Sequence, residues 1–147
     1  MVHVLRVVFG SVVLAWSVAM GASLIAQTAA PAPGPAAVPA EAKKMKAAFA
    51  SSPAAIQAGK KLYEKYCRFC HGDTGKGDGK MAPKNIQPAN LTDETWTRGS
   101  SEGEIFWIIQ NGAPPKYDMK GVRSKVTAQE AWNLVHFVRS LGGVPKS

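Results

Sequence analysis

The chain is poor in cysteine and in charge. Its 147 residues include only two cysteines, and charged residues make up 19% of the composition. Two cysteines exclude a scaffold held by several disulfides and a metal site built from four thiolates. The 10 prolines and 14 glycines are too few and too localised for a disordered chain. The length of the chain predicts one small folded domain, with room for a tail or an anchor.

Basic residues outnumber acidic ones but do not cluster. Lys and Arg total 18 against 10 Asp and Glu, which gives a net charge of +8. No run of basic residues reaches five, and the densest group is Lys43, Lys44 and Lys46. A nucleic-acid-binding protein usually concentrates its positive charge. We therefore predict no nucleic-acid partner.

The N-terminal segment has no charged side chain between Arg6 and Glu41. A basic start, an apolar run over residues 7–26 and then small residues are typical of an export signal. The run is about 20 residues, longer than the ~7–15 of a cleaved signal and close to a membrane span. We assign residues 1–28 to either a cleaved signal peptide or a retained membrane anchor. Both place the rest of the chain outside the cytoplasm.

Residues 29–50 are predicted to be an Ala/Pro-rich linker. Alternating alanine and proline cannot build a core and favours extended polyproline II. The first helix signal comes only at Ser51, so we expect no element before it. We place the folded domain at residues 51–147.

Three helices and no strand are predicted in the folded domain. Ser52 is a suitable N-cap and is followed by a proline, which favours a helix start there. Ser101 and Thr127 each begin a capping box, with Glu104 and Glu130 three residues later. No segment alternates between apolar and polar residues, so the domain is predicted to be all-α.

The first helix runs into the sequence Cys67-Arg68-Phe69-Cys70-His71. Cys-x-x-Cys-His is the motif of covalent c-type haem attachment. Two thiols three residues apart on a helical turn can reach both vinyl groups of one porphyrin, and the adjacent histidine offers a nitrogen to the iron. We predict one haem c, bound through Cys67 and Cys70, with His71 as an iron ligand.

Three other interpretations of this motif fit less well. A thioredoxin-like redox pair lies at a helix N-terminus after a strand, whereas this motif ends a helix. A zinc site needs a fourth ligand and usually a second Cys/His pair. The only other histidine downstream is His136, which we expect on the polar face of the third helix. A structural disulfide would have no need of His71. The glycine-rich residues 72–79 match neither a phosphate loop nor a calcium loop, and we predict a turn.

The chain resembles the class I, single-haem cytochromes c over residues 52–143. The likeness rests on CRFCHG, GKGDG (75–79), PANLTD (88–93), GEIFWIIQNG (103–112) and EAWNLVHFVRSL (130–141). It implies a small all-α cytochrome c fold, with three or more short helices and long loops around one covalent haem. It also implies that the N- and C-terminal helices cross, with Gly59 and Tyr63 facing Phe137 or Trp132.

The resemblance further implies an electron carrier with His71 and a methionine as axial ligands. Two methionines lie in the folded domain. Met81 is ten residues beyond His71, on the loop that leaves the proximal side of the ring, whereas Met119 is forty-eight residues beyond it. We predict Met119 as the second ligand. In this family a proline carbonyl often accepts the hydrogen bond of the axial histidine, and Pro83 and Pro88 are the candidates.

Three further residues bear on the haem. Trp96 and Arg98 are candidates to meet a haem propionate, and a solvent-exposed Arg98 is the alternative. His136 is not expected to be an axial ligand.

With both axial positions filled, the chain is not expected to be an enzyme on its own. We predict a one-electron carrier, exported to the periplasm or the outer face of the cytoplasmic membrane, between a respiratory or dehydrogenase donor and an oxidase or another cytochrome. The alternative is a haem whose sixth position opens, with peroxidase-like or gas-binding behaviour. The excess of basic residues predicts docking to an acidic surface of a redox partner. The lysines expected to carry it are Lys76, Lys84, Lys116 and Lys120.

Overall fold

The computed structural model describes residues 35–142. They form four α-helices, α1 (Pro53–Tyr66), α2 (Arg68–His71), α3 (Glu102–Asn111) and α4 (Ala128–Ser140), after a 3-10 helix at Ala40–Lys44. Within these residues there is no strand, only an isolated bridge between Gly112 and Lys120. The predicted all-α class, with short helices and long loops, is confirmed.

The predicted signal or anchor at residues 1–28 lies outside the described residues, as does the first part of the predicted linker. Among the helices of residues 35–142, none has both the length and the apolar character needed to cross a bilayer. The assignment of residues 1–28 stays a prediction.

Each of the three longer helices begins at its predicted cap. The Ser52 side chain accepts a hydrogen bond from the backbone N–H of Ala55 at 3.1 Å. Ser101 and Thr127 both complete their capping boxes with the glutamate three residues later. Because these bonds satisfy N–H groups that have no partner inside a helix, they define where each helix begins.

Helices α1 and α4 cross where α1 carries a glycine. A Cβ on Gly59 would lie 2.0 Å from the backbone oxygen of Asn133 and 2.8 Å from Cβ of Phe137. Only glycine permits this approach. One turn further along α1, the rings of Tyr63 and Phe137 pack with their centroids 5.0 Å apart. The implied crossing of the terminal helices is confirmed, and Phe137 is the residue at the contact.

Helix α4 contributes more residues to the core than any other element of residues 35–142. Its residues Ala131, Leu134 and Val135 are completely buried. Trp132 stacks on Phe106 of α3, with ring centroids 4.2 Å apart, and so joins α3 to α4. Trp132 therefore packs against α3, whereas Phe137 provides the ring that contacts Gly59 and Tyr63.

His136 does not lie where we expected it. The sequence predicts it on the polar face of α4, but only 4% of the residue is exposed. Its ring packs edge-on against Phe49, with centroids 5.3 Å apart. The expectation failed because it considered α4 alone, whereas residues before α1 fold back and cover this side of the helix.

The segment that covers this side of α4 is residues 35–49, which we call the strap. Ala42 in the 3-10 helix is 2% exposed, and a Cβ on Gly103 of α3 would lie 1.9 Å from the carbonyl oxygen of Ala42. The strap thus packs closely on α3, and the expectation of no element before Ser51 is wrong. Alanine and proline give no periodic pattern from which this packing could be foreseen.

Candidate haem-binding site

The two cysteines lie where α1 passes into α2. The N–H of Cys67 donates to the Tyr63 carbonyl at 2.8 Å. The N–H groups of Cys70 and His71 donate to the Cys67 carbonyl at 3.2 and 3.0 Å. One helical turn therefore carries both thiols, which are free, together with the histidine. The structure brings these three predicted residues together.

The Cys67 thiol is not set up as a redox nucleophile. Burial, and secondly the neighbouring Cys70, raises the pKa of Cys67 to about 12. A reactive thiol of the thioredoxin type needs a lowered pKa, since the thiolate is the nucleophile. The environment of Cys67 therefore argues against a dithiol redox centre.

A hydrogen bond orients His71. The residue is 9% exposed, and its Nδ1 lies 3.0 Å from the carbonyl oxygen of Ala89. Because a carbonyl can only accept, Nδ1 carries the proton and Nε2 keeps its lone pair. Burial lowers the pKa of His71, which favours the neutral ring that a metal requires.

The partner of His71 corrects the expectation of a proline carbonyl. Neither Pro83 nor Pro88 accepts the bond, which goes to Ala89, the residue directly after Pro88. Every residue carries the same backbone acceptor, so the sequence holds no signal that selects one carbonyl in a long loop.

Tyr63 supports the motif as well as the core. Its hydroxyl donates to the Gly72 carbonyl at 2.7 Å, in a buried position. Burial raises the pKa of Tyr63, and so do the charges of Cys67 and the nearby aspartates, so the hydroxyl remains a donor. The bond ties the end of α2 to α1. Sequence reasoning assigned Tyr63 to packing only and missed this contact.

The loop after His71 folds back over α2. The N–H of Gly79 donates to the Cys70 carbonyl at 3.1 Å, and the N–H of Met81 donates to the Phe69 carbonyl at 2.9 Å. Met81 therefore lies beside the backbone of α2, and 68% of the residue is exposed.

Met119 lies on a closed loop between α3 and α4, residues 112–120, which we call the Met119 loop. The N–H of Ala113 donates to the Met119 carbonyl at 3.0 Å, beside the bridge between Gly112 and Lys120. Inside the loop, the N–H of Tyr117 donates to the Ala113 carbonyl at 2.9 Å. Met119 itself is half-buried.

Arg98 and Trp96 both donate to backbone carbonyls. Arg98 Nε donates to the Pro114 carbonyl at 2.7 Å, which ties the segment before α3 to the Met119 loop. Trp96 Nε1 donates to the Asp93 carbonyl at 3.0 Å. A contact of Trp96 or Arg98 with a haem propionate stays a prediction.

The donors on the CxxCH turn fit haem c. Two free thiols are available for the vinyl groups, and a neutral imidazole keeps one nitrogen for iron. Among residues 35–142, no group of three or more His, Cys, Asp or Glu side chains is arranged to hold a metal ion by itself.

One helical turn carries two free thiols and a buried histidine, and it belongs to an all-α fold whose terminal helices cross. Together these features define a small c-type cytochrome. Residues 54–138 match the family described as "Cytochrome C oxidase, cbb3-type, subunit III", and the chain belongs to this family. Its cofactor is haem c, as the sequence predicted.

Among proteins of known function, the chain is similar to oxidase subunits. It is 34% identical over 97 residues to the Cbb3-type cytochrome c oxidase subunit FixP of Azorhizobium caulinodans, covering 66% of this chain and 30% of that protein. It is 31% identical over 102 residues to subunit CcoP of Rubrivivax gelatinosus, covering 67% of this chain and 30% of that protein. The chain thus spans about 30% of the length of these curated relatives.

Two solved structures share the fold. The Kuenenia stuttgartiensis reducing HAO-like protein complex Kustc0457/Kustc0458 matches with a TM-score of 0.56 and 29% identity, over 64% of this chain and 46% of that one. Cytochrome cL from Methylophaga aminisulfidivorans matches with a TM-score of 0.50 and 26% identity, over 61% of this chain and 55% of that one. The small cytochrome c fold is confirmed.

Proposed function

We propose that the chain is a one-electron carrier with a single haem c, held by Cys67 and Cys70 and ligated by His71 and Met119. The observation that carries the proposal is the state of His71. Its Nδ1 is engaged by the Ala89 carbonyl, and its Nε2 lies free on the same turn as two free thiols. A histidine prepared in this way suits an axial position on iron.

Each of the proposed residues has a distinct role in holding the haem. When bound, haem c supplies an iron that accepts and returns a single electron. The two cysteines keep the group in place and hold the histidine at high effective concentration. The Ala89 carbonyl fixes the imidazole and raises its basicity. A thioether from Met119 favours the reduced metal and so a relatively high potential.

Met119 is a better candidate than Met81 for the second axial position. Met81 is largely exposed, and its backbone is bonded to α2, the helix that carries the proximal histidine. Met119 is half-buried on a separate loop that follows α3. Met119 would come from a different segment than His71, so the two side chains could together hold the haem iron.

The relatives suggest where the electron goes. Both FixP and CcoP are named as subunits of a cbb3-type oxidase. We propose that this chain takes an electron from a respiratory or dehydrogenase donor and passes it to an oxidase or another cytochrome. It would work in the periplasm or on the outer face of the cytoplasmic membrane, because residues 1–28 have the pattern of an export signal or anchor.

Positive charge would guide the encounter with an acidic redox partner. The candidate lysines 76, 84, 116 and 120 are all exposed. Two of them flank Met119, and the other two lie on the long loop after the CxxCH turn. Steering of this kind raises the association rate and is screened by salt.

The direct test is the mass and the spectrum of the exported protein. We expect the mass of one haem on the intact chain and none on a variant with Cys67→Ala and Cys70→Ala. The wild-type spectrum should be low-spin, with a sulfur-to-iron band and little change on adding CO. Rapid CO binding by the reduced protein would instead support the alternative with an open sixth site. A wild-type chain without the haem mass would contradict the proposal.

A further inference from the structure

We propose that the strap helps to hold the Met119 loop in place through Tyr117, which makes Tyr117 a positioning residue for the sixth iron ligand. The inference rests on the proposed function, in which Met119 is that ligand. Neither the family match nor the motif assigns a role to the strap or to Tyr117.

The backbone of Tyr117 is held in an unusual conformation. Its φ is 54°, and it is the only non-glycine residue with positive φ among residues 35–142. A bulky side chain in the left-handed region is uncommon and persists where its surroundings hold it. Tyr117 lies two residues before Met119, so whatever fixes this conformation also fixes the path of the chain to the methionine.

The Tyr117 side chain forms a hydrogen bond with the strap. Its hydroxyl donates to the Pro35 carbonyl at 2.7 Å, across 82 residues of sequence. The hydrogen bond joins the tip of the Met119 loop to Pro35 of the strap.

The strap is itself firmly packed, so it can serve as an anchor for the loop. Ala42 is 2% exposed and lies against Gly103 of α3, where a Cβ would clash with its carbonyl. Further along the strap, Phe49 packs on the buried His136 of α4. The strap therefore connects the Met119 loop to two helices of the core.

The loop has one other bond to the rest of the protein near its start. Arg98 donates to the Pro114 carbonyl at 2.7 Å. Arg98 thus restrains the beginning of the loop, while Tyr117 and Pro35 restrain the part next to Met119. Without the second restraint, we expect the loop to move away from the iron more often, with His71 and both cysteines unaffected.

The test compares three variants of the full-length, haem-loaded chain. Tyr117→Phe removes the hydroxyl and keeps the ring. A strap variant, with Ala36→Gly, Ala37→Gly and Val38→Gly, loosens the backbone that presents Pro35. The third variant combines both sets of changes. The readouts are the temperature at which the sulfur-to-iron band disappears and the rate of CO binding to the reduced protein.

We expect each of the first two variants to bind CO about two- to tenfold faster than wild type, the range set by one hydrogen bond. The band should disappear at a lower temperature, while global unfolding changes little because the bond is exposed. Since both changes break the same link, the combined variant should be no faster than either alone. If the two increases in CO-binding rate multiply in the combined variant, the Tyr117 hydroxyl and the strap act independently, and the proposal is overturned.

The outcome is distinguishable from a failure of the proposed function. Loss of the band in Met119→Ala, together with wild-type CO rates in Tyr117→Phe, would overturn the role of the strap and leave the ligand assignment standing. A lower unfolding temperature in Tyr117→Phe without faster CO binding would show a purely structural contact. A wild-type protein without the band would overturn both.

Discussion

Nδ1 of His71 lies 3.0 Å from the carbonyl oxygen of Ala89, 18 residues further along the chain. The bond closes the loop formed by residues 72–88, which begins with the glycine-rich turn, so one ring holds both ends of that loop. It also decides which imidazole nitrogen remains for iron. The candidate ligand is thus oriented by the backbone, and the side chain at position 89 has no part in it.

The buried hydroxyl of Tyr63 should matter to stability. Tyr63→Phe removes the shorter of two hydrogen bonds to the Gly72 carbonyl, which also accepts from the Gly75 N–H at 3.3 Å. We therefore expect the free energy of unfolding to fall by about 0.5–1.5 kcal/mol. Tyr66→Phe is the matched control, because the Tyr66 ring lies under Lys65 at 5.0 Å and a phenyl ring keeps most of that contact. Denaturant unfolding of both haem-loaded variants would show the difference. If the free energy of unfolding falls equally in the two variants, the hydrogen bond to the Gly72 carbonyl does not contribute to stability.

The helix crossing should not tolerate a methyl group at position 59. In Gly59→Ala the new Cβ meets backbone atoms of Asn133, which cannot move as a side chain can. We expect the overpacking to lower the free energy of unfolding by about 1–3 kcal/mol. The better helix propensity of alanine offsets this loss by up to ~1 kcal/mol. Gln57→Ala on the exposed side of α1 is the control and should be close to neutral. A Gly59→Ala protein as stable as wild type would contradict the crossing geometry.

Acid should weaken the start of α4. The backbone N–H of Thr127 donates to the Glu130 carboxylate, and this hydrogen bond lowers the pKa of Glu130 below its ordinary value of 4.5. A group with a lowered folded pKa stabilises the fold above its ordinary pKa, and this contribution is lost as the pH falls through the folded pKa. Melting temperatures of wild type and Glu130→Gln, measured from neutral to acid pH, should therefore converge on acidification. Parallel curves would rule the contribution out.

Electron exchange with an acidic redox partner should slow as salt is added. Lys116→Gln and Lys120→Gln, which remove exposed charge beside Met119, should lower the rate at low ionic strength and flatten its dependence on salt. Lys60→Gln and Lys61→Gln on the exposed side of α1 are the matched pair and should change the rate less. A rate that does not depend on ionic strength would count against docking through these lysines.

Local signals in the sequence were sufficient for the helices and for the CxxCH turn. The caps at Ser52, Ser101 and Thr127 depend on side chains a few residues apart, so a short stretch of sequence contains the whole interaction. The same holds for Cys67 and His71, which share one helical turn. Interactions of this range can be identified without knowledge of the fold.

Contacts between distant segments could not be foreseen in the same way. The Ala89 carbonyl and the Pro35 carbonyl are backbone groups, and nothing in the side chains marks them as acceptors. His136 appeared exposed because the strap that covers it has no periodic pattern. Each of these features depends on which loop folds over which helix.

The ligand assignment is tested most directly by the visible spectrum of two matched methionine variants. Met119→Ala should abolish the sulfur-to-iron band, lower the potential and admit CO, with the haem still attached through Cys67 and Cys70. Met81→Ala should keep the wild-type spectrum, because Met81 is exposed beside α2. Loss of the band in Met81→Ala and its persistence in Met119→Ala would contradict the assignment.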